Sequence, residues 1–594
     1  MRQLRRSIDL MFLDGFRAAP GLMWATLGLS VLNGLGQSLF PLGFKVFVDA
    51  AARSDETMTV VGVALSAAMI AMFWGAAMGD ANVGFALVDR MELFVSTRIA
   101  ERVNAVASIE HFERPEYLQE LDLLDQNRYL LRAAPRQTLT ALSSVVRATA
   151  MVVLLVTVHP ALALVPLFGA APAWGQSRSV RIRQRAEERT AEQKRLADEL
   201  FTLTATAGPA KELRIYGLTD ELARQFDALG AEISRTQSRA AILGSLVAAL
   251  GWAVFTAGFV GGIVLVVRTA MDGDATAGEV VLAVVLAQQA RRLLAEVANN
   301  LAIMLTTART ASRAMWLEDY AATVPPTSIG DAPPARLREG IRFDGVTFRY
   351  PGTDVDVLRD LTVMLPAGAS VAIVGENGAG KTTLVKLLSG MYTPTSGTVT
   401  VDDVDLRDLS LDAWRARITA TFQDHVAFEL LALEAVGVGD LPRLEDRDIV
   451  RLALERASAV DVIESLDGGL DTQLGRSFPD GRELSGGQWQ KLALGRGMMR
   501  EDPLVLVLDE PTASLDAETE HALFERYVDA ARRSRDTSGA ITVLVSHRFS
   551  TVRSADLIVV LDEGGAVEVG SHAELMARGG IYAELFRLQA KAYS

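Results

Sequence analysis

The sequence of 594 residues contains no cysteine. Disulfides, thiolate zinc sites and cysteine nucleophiles are therefore excluded. Basic residues are also in deficit, with 59 Lys and Arg against 73 Asp and Glu. Because a nucleic-acid-binding protein needs a basic face, the net charge of −14 argues against a nucleic-acid partner. Apolar residues, by contrast, make up 49% of the chain, which indicates a membrane-embedded part. A chain of this length should divide into at least two domains.

Six apolar stretches in the first half of the chain are each near the roughly 20 residues that a bilayer crossing needs. They cover, approximately, residues 20–47, 58–77, 139–158, 161–174, 241–267 and 278–298. A buried helical core in a soluble protein is the alternative, but six such runs in succession favour membrane helices. The preceding segment, residues 1–17, carries four arginines, and we expect an amphipathic helix at the membrane surface there rather than a signal peptide.

The placement of arginine predicts the orientation in the membrane. Segments 90–136 and 178–239 are long and rich in arginine, whereas the short loops 49–56 and 272–279 are acidic. The positive-inside rule then places the N-terminus, both long segments and the C-terminal half in the cytoplasm of a multi-pass cell-membrane protein. Arginine outnumbers lysine and alanine is abundant, which favours a bacterial source.

Two short breaks interrupt the polar extensions of these helices, at residues 109–117 and 206–214. Each break would turn the chain at the point farthest from the membrane, where a soluble domain could hold it. Ordinary helix–turn–helix corners are an equally good interpretation of the residues alone.

Polar residues recur on the last apolar stretch at Gln288, Arg292, Glu296 and Asn299. This spacing places them on one helical face, and Arg292 and Glu296 could pair at i, i+4. Charge at membrane depth is costly unless it is paired or lines a wet cavity. The stripe therefore either lines a translocation pathway or already lies in the cytosol.

Proline pairs mark residues 323–340 as a linker between a first domain at 1–322 and a second at 341–594. The second domain alternates short apolar strands with helical stretches, an α/β pattern. Its clearest motif follows the apolar strand 370–374 and precedes a helix. The motif consists of Gly375, Glu376, Asn377, Gly378, Ala379, Gly380, Lys381, Thr382 and Thr383.

A strand, a glycine loop ending in Gly-Lys-Thr, and a helix together form a phosphate-binding loop. Glycines let backbone N–H groups curl around phosphate oxygens, and the helix N-terminus adds partial positive charge. Lys381 can reach the β- and γ-phosphates, and the Thr382 hydroxyl can ligate Mg²⁺. The sequence therefore predicts a nucleotide site.

A second buried strand, residues 504–508, ends in Asp509 and Glu510. Beside a phosphate loop, such strand-end acids hold Mg²⁺ and an attacking water, with Asp509 acting on the metal and Glu510 as the general base. Between the two motifs, Ser485, Gly486, Gly487 and Gln488 precede a further helix.

In this order and spacing, the motifs resemble those of the ATP-binding cassette (ABC) transporter superfamily, over nearly the whole chain. Six membrane helices ahead of one cassette resemble an exporter-type half-transporter. Residues 211–217 and Trp489 are similar to those of actinobacterial exporters. The resemblance implies an α-helical membrane domain of six long helices, the ABC exporter fold, followed by an α/β P-loop cassette. It also implies ATP and Mg²⁺ as ligands.

The resemblance assigns further roles residue by residue. Tyr350 matches the aromatic residue that stacks on adenine, and Gln423 matches the glutamine that senses Mg²⁺ and the γ-phosphate. Ser485 and Gly487 would contact ATP held by a partner subunit, Asp516 lies in the loop that communicates between the two sites, and His547 matches the switch histidine. The breaks at 109–117 and 206–214 would be the coupling helices.

These features imply an ATP-driven exporter of an amphipathic small molecule, lipid or peptide. Because the motifs of hydrolysis are complete, a homodimer is favoured, although a heterodimer with a degenerate cassette stays open. A membrane regulator or receptor that uses ATP without transport, and an exporter-shaped importer, are the alternatives. A soluble P-loop ATPase acting on DNA or ribosomes would need a hydrophilic, basic first half, which this chain lacks.

Overall fold

Long helices occupy the first half of the chain in the computed structural model, which describes residues 6, 9–164, 168–273, 275–324, 327–509, 537–546 and 552–592. A π-helical turn, Asp9–Leu13, precedes them. The helices are α1 (Asp14–Ala18), α2 (Pro20–Ala52), α3 (Glu56–Asn104), α4 (Pro115–Gln126), α5 (Arg128–Val158), α6 (Ala170–Arg189), α7 (Ala191–Ala205), α8 (Ala210–Ile215), α9 (Thr219–Met271) and α10 (Ala277–Thr323). Single turns of 3₁₀-helix lie at Glu110–Glu113 and Pro160–Leu164.

Helices occur at all six predicted apolar stretches, but they differ in character. Among the described residues, α2, α3, α5 and α9 are both long enough and apolar enough to cross a membrane. The sixth stretch falls on α10 and the end of the fourth stretch falls on α6, and neither helix is in that set. Residues 161–164 of the fourth stretch belong to the 3₁₀ turn, and residues 165–167 lie outside the described part of the chain. Arginines fill the second half of α6, and Glu279, Arg292 and Glu296 interrupt α10. Among the described residues, length and apolarity thus identify four candidate membrane-spanning helices, whereas the sequence predicts six.

Small residues allow these helices to approach closely. A Cβ added at Gly251 of α9 would lie 2.5 Å from the carbonyl oxygen of Ala171 in α6. A Cβ added at Gly62 of α3 would lie 2.5 Å from the backbone nitrogen of Phe47 in α2. Close backbone approach of this kind packs helices where lipid removes the hydrophobic driving force. Consistent with a lipid-facing surface, many large apolar side chains stay exposed, among them Val60, Ile242, Leu246 and Leu250.

Ion pairs connect helices within this first unit. Lys45 of α2 pairs with Glu279 of α10 at 2.9 Å. The buried carboxylate of Asp14 accepts hydrogen bonds from Arg98 at 2.6 Å and from Arg17 at 2.7 Å. Removing one partner of such a buried pair would leave an uncompensated charge, which is strongly destabilising.

The cassette contains two sheets. The strands are β1 (Gly340–Arg349), β2 (Asp356–Pro366), β3 (Ser370–Gly375), β4 (Ser396–Val401), β5 (Val404–Asp405), β6 (Ile418–Thr421), β7 (Val505–Asp509), β8 (Ile541–Val545), β9 (Leu557–Asp562) and β10 (Gly565–Gly570). Within the described part of the chain, one sheet has the antiparallel order β2-β1-β4-β5. The other has the order β10-β9-β3-β8-β7-β6, parallel except for β10 at its edge.

Helices cover these sheets and form a separate cluster beside them. They are α11 (Lys381–Leu388), α12 (Leu411–Ala416), α13 (Ala432–Gly437), α14 (Arg447–Arg456), α15 (Val460–Glu464), α16 (Gly486–Gly497), α17 (His572–Arg578) and α18 (Ile581–Ala592). One apolar core lies between the sheets and α11 and includes Phe343, Phe348 and Trp414. A second core joins α13, α14 and α16 and includes Trp489. The central strands β3, β7 and β8 are buried along nearly their whole length, as parallel strands covered on both faces are.

The chain divides into two compact units that do not follow sequence order. One unit is Met1–Ala100 with Leu123–Trp316, and the other is Glu101–Asp122 with Leu317–Ser594. The end of α3, the 3₁₀ turn Glu110–Glu113 and most of α4 therefore belong to the same unit as the cassette. Helix α10 ends at Thr323, and β1 begins at Gly340.

Candidate nucleotide-binding site

The phosphate loop connects β3 to α11 at the carboxyl end of the parallel sheet. Gly378 and Gly380 have φ of +88° and +97°, a left-handed conformation that favours glycine. A Cβ at Gly380 would also lie 2.5 Å from Cδ2 of Leu358. The N–H of Ala379 donates to the carbonyl of Glu376 at 3.2 Å, which closes the turn. The loop thus takes the strained shape that the glycine pattern predicts.

Lys381 and the two threonines begin α11. The Lys381 ammonium donates to the carbonyls of Gly375 at 3.0 Å and Glu376 at 2.9 Å, so it lies across the mouth of the loop. The N-terminus of α11 points its free N–H groups to the same place, and both features favour an anion there. Lys381 is buried, which strengthens its attraction for a phosphate.

The Thr382 hydroxyl donates to Oδ2 of Asp509 at 3.2 Å. Asp509 is the last residue of β7 and is buried. Mg²⁺ takes oxygen ligands and is usually bound by one or two carboxylates together with substrate phosphates and waters. A hydroxyl and a buried carboxylate side by side next to a phosphate loop fit that requirement, so Thr382 and Asp509 would hold the ion.

Gln423 lies two residues beyond the end of β6, and its side chain is exposed. Thr421 of β6 lies opposite Leu508 of β7 in parallel register. Gln423 and Asp509 therefore lie at the same carboxyl edge of the sheet. Because ligands of such sheets bind at the carboxyl ends of the strands, Gln423 is placed to contact both metal and phosphate.

Tyr350 packs near the loop. Its hydroxyl forms a hydrogen bond with Oγ1 of Thr383 at 2.9 Å, and the Lys386 ammonium lies 5.6 Å from its ring centroid. The ring is also edge-on to Tyr392, with centroids 5.5 Å apart. Tyr350, the predicted adenine-stacking residue, therefore contacts α11, the helix that follows the phosphate loop.

The signature turn caps α16. The Ser485 hydroxyl accepts the N–H of Gln488 at 3.3 Å, and the Ser485 N–H donates to Oε1 of Gln488 at 2.9 Å. This capping box explains the residue types at both positions. Gly486 has open space around its Cα, so the turn is accessible to a ligand. Glu510, Asp516 and His547 lie outside the described residues.

The sequence singled out the break at 109–117, but not the cassette residues that connect this site to it. The hydroxyl of Tyr392 donates to Glu113 of the 3₁₀ turn, and the N–H of Ile109 donates to the carbonyl of Met391 at 3.1 Å. Burial, and then the Glu113 carboxylate, raise the pKa of Tyr392 well above its ordinary value, so the phenol remains a donor. The only sequence signal for Tyr392 was its closeness to the phosphate-loop helix, since it lies four residues after the end of α11.

Arg415 completes this connection. Its guanidinium donates to the carbonyl of Ala107 and to that of Gly390, each at 2.6 Å. Trp414 donates to the carbonyl of Leu388 at 3.0 Å. These donors satisfy carbonyls at the C-terminal end of α11, where a cation is favoured. The helix that begins at the phosphate loop thus ends against the segment that follows α3.

The 3₁₀ turn itself is built around a buried histidine. His111 packs against the rings of Phe112, Tyr117 and Tyr320, with centroids 4.1, 4.8 and 6.4 Å away. Burial lowers the pKa of His111, so it is neutral near pH 7, and burial likewise raises the pKa of Tyr117 to about 12. The second predicted break contains most of α8, and Ile215 at the end of α8 and the following Tyr216 are exposed.

Two of the four residues in the predicted polar stripe of α10 line a cavity within the first unit. Arg292 and Glu296 contribute to its wall, as does the neighbouring Gln289. The predicted Arg292–Glu296 pair is wrong, because Glu296 instead pairs with Arg147 of α5. The spacing could not show this, since a partner on another helix competed for the same carboxylate.

A phosphate loop, a strand-end aspartate and a capped Ser-Gly-Gly turn, joined to membrane-length helices, define a P-loop nucleotide-binding membrane protein. Residues 358–513 match the ABC transporter family. The fold resembles that of a bacterial Atm1-family ABC exporter with ATP bound, with a TM-score of 0.75 and 24% identity, over 97% of this chain and 99% of that one. Residues 358–513 therefore form an ABC transporter domain, and the whole chain has the fold of an exporter-type ABC half-transporter. The predicted family and fold class are thereby confirmed.

Two curated relatives illustrate the range of the family. The ATP-dependent lipid A-core flippase of Chromohalobacter salexigens is 40% identical over 265 residues, 45% of this chain and 44% of the flippase. The human mitochondrial potassium channel ATP-binding subunit is 33% identical over 407 residues, 67% of this chain and 53% of that protein. The chain thus spans about half the length of the curated relatives it matches. The similarity identifies a multi-pass membrane protein with a nucleotide-binding domain.

Proposed function

We propose that this protein is an ATP-driven exporter that moves an amphipathic small molecule, lipid or peptide across the bacterial cell membrane by alternating access. One observation carries the proposal. The helix that starts at the phosphate loop ends at residues that hold the segment following α3, through Arg415, Tyr392 and Met391. A change at the nucleotide is therefore passed directly to the continuation of a membrane-length helix.

The relatives support the same function. The Chromohalobacter salexigens relative is an ATP-dependent lipid A-core flippase, and the bacterial Atm1-family exporter has ATP bound in its solved structure. Transport that depends on ATP in this chain would require the loop to bind the phosphates tightly. The buried Lys381 and the N-terminus of α11 supply the donors for this.

Hydrolysis would proceed at composite sites in a dimer, with a homodimer favoured. Lys381 and Thr382 of one copy would hold the phosphates, while Ser485 and Gly487 of a second copy would contact the γ-phosphate. Mg²⁺, held by Thr382 and Asp509, would supply neutralising charge for the phosphates. Glu510 would take the proton from the attacking water, with Gln423 and His547 placing the water and the γ-phosphate.

The closed dimer would form only with nucleotide present, since each ATP needs donors from both copies. Closure would pull the 109–117 segments together, and the helices that they continue would expose the cargo site on the other side. The arginine-rich segments and the cassette would face the cytoplasm. The exposed Ile215 of α8 and the following Tyr216 would provide a second docking surface.

Proteoliposomes containing the purified protein and a panel of fluorescent lipids and lipopeptides test the proposal. We expect ATP to move at least one probe between leaflets or across the bilayer. Lys381→Ala should abolish both movement and hydrolysis, whereas Lys491→Ala, which removes only an ion pair to the exposed Asp461, should leave both intact. ATP hydrolysis without movement of any probe would favour a regulator over a transporter.

A further inference from the structure

A cavity of about 320 Å³ lies within the first unit and is lined by residues of α2, α3, α5 and α10. Three aromatic side chains, Phe40, Phe73 and Trp74, form one part of its wall. Its volume is at the lower end of the range for small-molecule sites. It can therefore hold the head group and first carbons of an amphiphile, but not a whole lipid or a folded peptide.

Most polar groups of the cavity satisfy one another. Arg147 donates to the carboxylate of Glu296 and to the side-chain oxygen of Gln37. The Ser144 hydroxyl donates to Glu296 at 2.8 Å, and the amide of Gln289 donates to the Gln37 carbonyl at 3.2 Å. Arg147 and Glu296 thus neutralise each other inside a fixed network.

Arg292 is different. It lines the same cavity one helical turn before Glu296, yet it has no ion-pair partner among the residues that the structure describes. The ionised lining residues therefore leave one net positive charge. The Arg292 side chain is exposed and so open to a ligand, and its planar fork binds carboxylate or phosphate through two hydrogen bonds.

We propose that this cavity binds the anionic head group, carboxylate or phosphate, of an amphiphilic cargo, with Arg292 making the charge contact and the aromatic wall taking the adjoining hydrocarbon. The inference rests on the proposed transport function and narrows its substrate class. A neutral head group would leave Arg292 uncompensated, and a cationic one would be repelled.

Equilibrium binding tests the site without nucleotide, using the full-length protein in phosphatidylcholine nanodiscs with empty discs subtracted. Four radiolabelled probes share a dodecyl chain and differ only in the head group: laurate, dodecyl phosphate, dodecyl maltoside and dodecyltrimethylammonium. We expect laurate or dodecyl phosphate to bind about tenfold or more tightly than the neutral and cationic probes. The stronger of the two anions identifies the head group.

Arg292→Gln should weaken anion binding by about tenfold or more and leave the neutral probe unchanged, while Arg292→Lys should retain part of the preference. The matched control is Arg268→Gln, which removes an exposed positive charge near the end of α9 and should change nothing. Glu296→Gln gives a test of opposite sign, because removing the carboxylate should tighten anion binding. This keeps the proposal testable if Arg292→Gln fails to fold.

Equal binding of all four probes, or an unchanged anion affinity in both cavity variants, would overturn the site. The two proposals fail separately. If anions bind through Arg292 but ATP never moves them, the site stands and the transport function fails. If ATP moves the anionic probes equally well in wild type and in Arg292→Gln, and their binding is also unchanged, transport stands and the anion site fails.

Discussion

Tyr392 and Glu113 lie 279 residues apart in the sequence, yet they form a hydrogen bond next to the nucleotide site. Tyr350 packs on the other side of the Tyr392 ring. A nucleotide stacked on Tyr350 would therefore be two side chains away from the segment that continues α3. These contacts form a continuous path from Tyr350 to the segment that continues α3.

Replacing Tyr392 by Phe should loosen the 3₁₀ turn without disturbing the core, because only the hydroxyl is lost. We expect the opening free energy at the Ile109 amide, which donates to Met391, to fall by about 1 kcal/mol. Native-state hydrogen exchange measures it.

Glu113→Gln should have a similar effect, and the double variant should be little worse than either single one, since both remove the same interaction. Tyr216→Phe, at an exposed position, is the control. Additive losses in the double variant would show that the two residues do not act through their mutual contact.

Residue identity alone predicted the chemistry of the loop but not its partners. The glycines, Lys381 and Thr382 could be assigned because a phosphate loop requires those types at that spacing. The partner of Glu296 could not, because Arg292 at i, i+4 and Arg147 on another helix are equally plausible without tertiary structure. The same limit hid Arg415, whose partners are backbone carbonyls that carry no sequence signal.

At the scale of elements, the phosphate loop depends on backbone shape. Gly380→Ala would place a Cβ on a residue with φ of +97° and against Leu358. We expect a loss of about 1–2 kcal/mol in stability, and weaker nucleotide binding because the loop must distort. The melting transition of the cassette and the ATP affinity measure these effects.

Gly230→Ala is the matched control for that variant. Gly230 lies inside α9 with nothing near its Cα, so alanine should be neutral or slightly stabilising there. Unchanged ATP affinity in Gly380→Ala would mean that the loop does not need the left-handed conformation at this position.

The 3₁₀ turn should respond to pH through His111. Burial lowers the pKa of His111 in the folded protein below its ordinary value of 6.5. Between the lowered pKa and 6.5, the unfolded turn therefore binds more protons than the folded turn. The contribution of His111 to the stability of the turn is present above pH 6.5 and is lost as the pH falls towards the lowered pKa. No charged partner is needed for this effect, since the neighbouring rings only desolvate the imidazole.

Hydrogen exchange at residues 109–113, corrected for intrinsic rates, should show protection falling between pH 7.5 and 5.5. His111→Phe should flatten this dependence. Burial also lowers the pKa of His425, so His425→Gln is the control and should leave the local dependence in place. The same pH dependence in wild type and His111→Phe would contradict the assignment.

Element types were largely predictable, whereas membrane crossings were less so. Long helices occur at five of the six apolar stretches, and the described part of the fourth contains a 3₁₀ turn and the start of α6, because apolar runs of this length favour helices in either solvent. The number of crossings was harder to predict, since arginines fill the second half of α6 and the charges of α10 pair with residues of neighbouring helices. Residues Glu101–Asp122 belong to the same compact unit as the cassette. In the sequence, only the break at 109–117 indicated this.

At the scale of the whole molecule, hydrolysis should reset a state that ATP binding creates. Glu510→Gln should bind ATP normally but hydrolyse it 10²–10⁴-fold more slowly, because the attacking water would lack its base. Radiolabelled ATP binding and phosphate release measure the two properties. Glu501→Gln, which alters only a partly exposed pair with Arg443, is the control. Undiminished turnover in Glu510→Gln would remove that residue from the catalytic role.

The central claim is that nucleotide held by the cassettes of two copies rearranges their membrane helices. Because the chain has no cysteine, Met271→Cys introduces a unique spin-label position at the exposed end of α9. Pulsed electron paramagnetic resonance in lipid nanodiscs then measures the distance between the two labels, with Glu510→Gln to trap bound ATP. We predict one inter-subunit distance without nucleotide, a different one with ATP and Mg²⁺, and no change when Lys381→Ala is added. Absence of any inter-subunit distance, or a distance that ATP does not alter, would contradict the account.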